Sequence, residues 1–217
     1  MAASVWARYC GPIHLWTTGL SQSKSPIQFL SINRGSVYVP DPLTRQSALA
    51  GVPQPGDLIQ ERTGLWIQRL YAPDQRPGFG HKIGLDLPEQ ANRSTFANDL
   101  HGLWVAPGEW LLVGAETTDW HDLMTHVAEN GGALSELSHA RTVFRIAAGP
   151  ARDILAKDCP LDLRPSTFTL GHCAQSILVG VGILVHYLGD GTHIDIYVAR
   201  SYGRFIHAWL QDAAPPS

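Results

Sequence analysis

Ser176-Ile-Leu-Val-Gly-Val-Gly-Ile-Leu-Val-His-Tyr-Leu-Gly-Asp-Gly-Thr-His-Ile-Asp-Ile-Tyr-Val198 is the stretch on which the fold turns. From Ser176 to Leu188 it forms a strand run interrupted at Gly180-Val-Gly182. Gly189-Asp-Gly-Thr192 then turns the chain, and His193-Ile-Asp-Ile-Tyr-Val198 alternates with period two. A four-residue loop sets Leu188 opposite His193, so Tyr187, Val185 and Ile183 lie across from Ile194, Ile196 and Val198. One face of the hairpin is then wholly apolar. That pins the register, because a slip of one residue would turn the whole set outward. On the other face His186 falls opposite Asp195, where a surface hydrogen-bonded or ionic pair is expected.

The flanking segments extend the pattern. After the hairpin, Ser201 is placed to cap a last helix on which Tyr202, Phe205, Ile206 and Trp209 share a face, with Gly203 weakening its first turn. Before it, Thr142-Val-Phe-Arg-Ile-Ala147 alternates as a strand. Gly149-Pro150 opens a short helix with Ile154 and Leu155 inward, stopped by Pro160 and Pro165. Further upstream, Thr118 or Asp119 caps a helix carrying Trp120, Leu123, Met124 and Val127, which Gly131-Gly132 ends. Leu103-Trp-Val-Ala-Pro-Gly-Glu-Trp-Leu-Leu-Val-Gly114 reads as a second hairpin around Pro107-Gly108, with Trp104 across from Trp110. Gly64-Leu-Trp-Ile-Gln-Arg-Leu-Tyr71 supplies another strand. This order predicts an α+β fold, a mostly antiparallel sheet with helices on one face.

Residues 1–62 behave differently. Pro12, Pro26, Pro40, Pro42, Pro53 and Pro55 punctuate them, and only Ile27–Ile32 and Ser36–Val39 look extended. We read 1–62 as an irregular, Pro/Gly-rich N-terminal arm or subdomain, and 63–217 as the α+β domain.

Composition narrows the function. The 217 residues carry 16 Lys+Arg against 19 Asp+Glu, a net charge of −3, and charged residues make up 16%, where roughly 25% is usual. No basic block marks a nucleic-acid footprint, and the longest apolar run, Ile177 to Val185, is too short to span a bilayer. Low charge also suits a chain whose surface is covered by neighbours. Cys10, Cys159 and Cys173 are odd in number and irregular in spacing. That argues against a disulfide framework and for a reducing cytoplasm.

Most catalytic and cofactor motifs are absent. No Gly-x-Gly-x-x-Gly follows a strand, and neither a phosphate-binding Gly-Lys-Ser/Thr loop nor a Gly-x-Ser-x-Gly elbow occurs. His121 and His126 stand five apart on one helix, roughly 140° around it, and cannot share an ion. Gly171-His-Cys-Ala-Gln-Ser176 is the one segment with a chemical look. On a strand, however, His172 and Cys173 point to opposite faces, so Cys173 is expected to be packing. Asp153, Asp158 and Asp162 read as solvated charges near a helix end. No catalytic, cofactor-binding or metal residue is assigned to this chain.

Four segments, taken in order, carry a resemblance: Leu103 to Gly114 as quoted; Leu155-Ala-Lys-Asp-Cys-Pro-Leu-Asp-Leu163; Gly171-His-Cys-Ala-Gln-Ser-Ile-Leu178; and Arg200-Ser-Tyr-Gly-Arg-Phe-Ile-His-Ala-Trp-Leu-Gln-Asp-Ala213. With Ile83-Gly-Leu-Asp-Leu-Pro-Glu-Gln-Ala-Asn92, they resemble the gamma subunit of heterotetrameric sarcosine oxidase over residues 63–213. The resemblance implies the fold of the folate-binding aminomethyltransferase of glycine cleavage. It also implies a non-catalytic, structural subunit of a complex that oxidatively demethylates sarcosine, or a related N-methyl amine, to glycine. The one-carbon unit passes to tetrahydrofolate and the electrons pass through flavin to oxygen. FAD, FMN, NAD, tetrahydrofolate and zinc are then expected on partner subunits (alpha, beta and delta), with none held by this chain. The alternative is a stand-alone folate-binding aminomethyltransferase-like protein. For the subunit, Trp104, Trp110 and Tyr202 are the interface candidates, since aromatic residues tend to carry binding energy.

Overall fold

In the computed structural model, residues 46–53, 57–72, 78–97 and 99–215 are described, and all belong to one unit, 44–217. The chain runs β1 (Ile59–Arg62), β2 (Leu65–Tyr71), α1 (Phe79–Lys82), β3 (Ser94–Ala97), β4 (Leu100–Ala106), β5 (Glu109–Ala115), α2 (His121–Glu129) and β6 (Ala133–Glu136). It continues β7 (Arg141–Ala147), α3 (Ala148–Leu155), β8 (Cys173–Leu178), β9 (Val181–Tyr187), β10 (His193–Ala199), a 3₁₀ turn (Arg200–Tyr202) and α4 (Gly203–Ala213).

The strands form two five-stranded sheets, ordered β1-β7-β10-β9-β8 and β3-β4-β5-β2-β6, with every neighbouring pair antiparallel. The antiparallel α+β expectation stands, with a second sheet that the sequence did not announce. Three apolar clusters show how the layers stack. Phe144, Ile146, Ile183, Val185, Ile194, Ile196 and Val198 of the first sheet pack against Ile154 and Leu155 of α3 and Ile206 and Leu210 of α4. Leu70, Leu100, Trp110 and Leu112 of the second sheet pack against Phe79 of α1 and Val127 of α2. Between the sheets, Leu65, Ile67, Leu103, Leu111 and Val113 meet Val143, Cys173, Leu184 and Tyr197. Each sheet thus carries helices on its outer face, and the two inner faces pack on each other.

The β9–β10 register is the one that apolar alternation demands: Ile194 pairs with Tyr187, Ile196 with Val185 and Val198 with Ile183. The expected interruption at Gly180-Val-Gly182 is a hairpin turn one residue earlier, at Val179-Gly180, and Val181 and Gly182 already belong to β9. Leu178 pairs with Val181, and Val179 and Gly180 both adopt left-handed conformations, φ 50 and 75. Two positive φ values in a two-residue loop match the right-handed twist of the strands, so one run becomes two strands. The β4–β5 hairpin turns at Pro107-Gly108 with Trp104 across from Trp110, and a register shift between Trp104 and Ala106 absorbs the extra residue.

Helix details differ more. Asp119 Oδ1 accepts the His121 N–H at 2.9 Å, and Gly131 and Gly132 close α2 onto the Ala128 and Val127 carbonyls. Ser201 lies within the 3₁₀ turn and makes no side-chain cap. The inward face of α4 is Gly203, Ile206, His207, Leu210 and Ala213, while Tyr202 and Phe205 are about half exposed. Gly203 sits where a Cβ would stand 3.1 Å from Ala48 Cβ and 3.2 Å from Thr142 Oγ1, so close approach explains the glycine. That contact also shows that the body starts before residue 63. Leu49 and Ile59 are in the core and β1 forms a sheet edge. The extended segments read at Ile27–Ile32 and Ser36–Val39, and Cys10, lie outside the described residues. No helix among the described residues is long and apolar enough to cross a membrane.

Candidate functional site

One end of the inter-sheet layer is polar. Strand periodicity puts Arg62, Arg145, Asp195 and His186 on the inner face of the first sheet, and Ser94 and His101 approach from the second. Asp195 stands between Arg145 and His186 in register. Its carboxylate takes a two-pronged grip from Arg145, with Nε to Oδ1 at 2.7 Å and Nη2 to Oδ2 at 2.8 Å. Arg62 Nη1 adds a longer contact at 3.4 Å. Arg62, Arg145 and Asp195 border a cavity of about 560 Å³ lined also by Phe96, Asp99, His101, Asp190 and Tyr197.

The electrostatics follow from burial. Burial alone would lower the Arg145 pKa, but the hydrogen bond and charge of Asp195 outweigh it, leaving the guanidinium more firmly protonated. His186 is fully buried. Desolvation, then the neighbouring His101 and Arg145, push its pKa down to about 3. Burial lowers His101 as well. The expected surface pair of His186 and Asp195 is therefore not formed: both are buried, because the second sheet covers that face. His186 Nε2 instead lies 2.9 Å from Ser94 Oγ, which in turn lies 3.0 Å from the Gly171 carbonyl. With Ser94 donating to Gly171, His186 donates from Nε2, and its Nδ1 is left without a hydrogen-bond partner among the described residues. A hydroxyl whose proton is committed to a main-chain carbonyl, beside a histidine that resists protonation, is a clamp and not an activated nucleophile. The clamp is reinforced by the Ser94 N–H to Gly171 O bond at 2.7 Å and the Cys173 N–H to Asn92 O bond at 3.0 Å, which tie the sheets together.

Sequence reasoning found the His186–Asp195 register and missed Arg62, Arg145, Ser94 and His101, which come from four other strands. Cys173 is fully buried, its Sγ 3.2 Å from the Arg93 carbonyl, and burial pushes its thiol up to about 12. His172 turns away, its Nδ1 accepting the Thr169 N–H. Cys173 is expected to resist iodoacetamide in the folded chain and to react only on unfolding, as read by peptide mass mapping. Alkylation of the native chain at the rate of a free thiol would contradict the packing role. Asp158 receives the Val179 N–H of the β8–β9 turn, and Asp162 pairs with Arg164 at 2.6 Å. His121 and His126 sit in α2, and no group of three His, Cys, Asp or Glu able to hold a metal occurs among the described residues.

The three aromatic candidates separate. Trp110 is 7% exposed, packs in the outer core of the second sheet and donates from Nε1 to the Pro88 carbonyl at 2.8 Å. Trp104 is half-buried beside it, and Tyr202 is 49% exposed. Trp110→Ala is expected to destabilise the isolated chain by about 3–5 kcal/mol. Tyr202→Ala is expected to stay within about 0.5 kcal/mol. Thermal melts of the lone chain check both, and an early melt for Tyr202→Ala would place that ring in the core.

Two facing antiparallel sheets with helices outside define a class of fold seen in solved proteins. A chain of the heterotetrameric sarcosine oxidase from Corynebacterium sp. U-96, in complex with pyrrole 2-carboxylate, matches with TM-score 0.67 at 22% identity, over 78% of this chain and 94% of that one. The glycine cleavage system aminomethyltransferase T from Bartonella henselae matches with TM-score 0.53 at 12% identity, over 70% of this chain and 44% of that one. In sequence, the chain is 27% identical over 135 residues to sarcosine oxidase subunit gamma of Corynebacterium sp. (strain P-1), covering 60% of this chain and 65% of that protein. It is 26% identical over 133 residues to the same subunit of an Arthrobacter species, again covering 65% of that protein. These matches span a little under two thirds of the length of the curated relatives. The model of the sarcosine oxidase gamma subunit family matches residues 77–215, and this chain belongs to that family.

Proposed function

We propose that the chain is the gamma subunit of a cytoplasmic, heterotetrameric sarcosine oxidase-type complex, assembled with alpha, beta and delta subunits and itself non-catalytic. The complex oxidatively demethylates sarcosine, or a related N-methyl amine, to glycine, with the one-carbon unit passed to tetrahydrofolate. The observation that carries this is the family match over residues 77–215, supported by the shared fold of a chain from a heterotetrameric sarcosine oxidase.

The polar cluster supports the non-catalytic role. Asp195 spends its oxygens on Arg145 and Arg62, and Ser94 spends its proton on Gly171. In this reading tetrahydrofolate, like FAD, FMN, NAD and zinc, belongs to the partner subunits. Omitting this chain when the partner subunits are co-expressed should abolish stable assembly and sarcosine-dependent peroxide formation, and adding it back should restore both. Unchanged peroxide formation without the chain, together with tight tetrahydrofolate binding by the chain alone, would favour the stand-alone folate-binding protein instead.

A further inference from the structure

A second recess, of about 400 Å³, lies away from the polar cluster, between the β4–β5 hairpin tip, α1 and the 85–91 segment. Half-buried Trp104 gives it an aromatic wall, the buried rings of Trp110 and Phe79 back it, and Asp86 and Glu89 are among its lining residues. Both carboxylates are exposed, and among the described residues lining the recess there is no Lys or Arg, His81 being the one basic side chain. The walls are held in place. Trp110 Nε1 bonds the Pro88 carbonyl, and α1 packs so closely on the following segment that a Cβ at Gly80 would stand 2.6 Å from the Leu85 carbonyl.

An aromatic wall beside two exposed carboxylates suits an organic cation. The Trp104 ring can attract it and the carboxylates can make charge-assisted hydrogen bonds to it. We propose that this recess is the docking socket for an arginine or lysine side chain presented by a neighbouring subunit, a reading that rests on the chain being part of the complex. Charge complementarity selects the occupant's sign, and the space exceeds one side chain, which suits a basic residue carried on a loop. Arginine is among the residues that most often anchor interfaces, and a preformed pocket spares the ordering cost of receiving it.

The test compares the full chain with Asp86→Asn/Glu89→Gln, a pair of exposed substitutions that leaves the core untouched. Binding of each to the co-expressed partner subunits is measured at several salt concentrations. The double variant should melt as the wild type does, bind at least about tenfold more weakly, and lose much of the salt sensitivity of association. N-acetyl-arginine amide should quench Trp fluorescence in the isolated chain and not in the assembled complex, where the socket is filled. Equal affinity and salt dependence for both chains would overturn the proposal. So would a recess that still binds N-acetyl-arginine amide in the complex, because its occupant would then be a free cation. Failure of the wild-type chain to assemble at all is a separate result, and it sinks the subunit reading and the socket with it.

Discussion

Asp195→Ala is expected to destabilise the isolated chain by about 3 kcal/mol, toward the lower end of what breaking a buried ion pair costs. The carboxylate side chain is 3% exposed, whereas its partners Arg145 and Arg62 are 23% and 33% exposed. The stranded guanidinium groups therefore recover some hydration, which trims the penalty. Arg145 still loses both of its close hydrogen bonds. Asp195→Asn keeps the shape and one acceptor, so it should fall between the two. Urea unfolding of the three chains measures the effect. A loss below about 1 kcal/mol for the alanine variant would mean that water already reaches the cluster, as it does for an exposed pair.

Acid is expected to unfold the chain through His186. Its folded pKa of about 3 lies below the value near 6.5 that it takes in the unfolded chain, so the unfolded state binds the extra proton first. The stability contribution is fully present above about pH 6.5 and drains away as pH falls toward 3, at about 1.4 kcal/mol per pH unit. His101 and His207, both lowered by burial, push in the same direction. His186→Gln removes the titrating ring while keeping a polar group for Ser94. The gap in stability between pH 7.5 and pH 5 should then shrink by about 2 kcal/mol relative to wild type. An identical gap in both proteins would show that His186 is hydrated and titrates normally.

The hairpin registers were legible because one apolar face leaves a strand a single acceptable alignment: β9 against β10 and Trp104 against Trp110 pair as alternation requires. The second sheet was hidden by the same alternation. Asp195 and His186 on the opposite face signal solvent locally, yet Ser94 meets His186 across 92 residues and Arg62 meets Asp195 across 133, distances no periodicity reports. The β8–β9 turn was obscured because it asks a valine, Val179, to adopt φ 50, which β-branched residues seldom do. Tyr202, in the 3₁₀ turn, and Phe205, on α4, look inward by composition. The helix instead buries Gly203, for close approach, and His207, whose ring stacks on Phe144 with centroids 5.8 Å apart. Of the three aromatic candidates, the structure places Trp110 in the core that α2 covers and leaves Tyr202 at the surface in the 3₁₀ turn before α4.

Native mass spectrometry of this chain co-expressed with alpha-, beta- and delta-type partners tests membership of the complex most directly. One copy of the 23.7 kDa chain should appear in a flavin-bearing assembly with each partner, and that assembly should turn over sarcosine or a related N-methyl amine. A chain that stays monomeric while its partners assemble and turn over without it would contradict the gamma-subunit function.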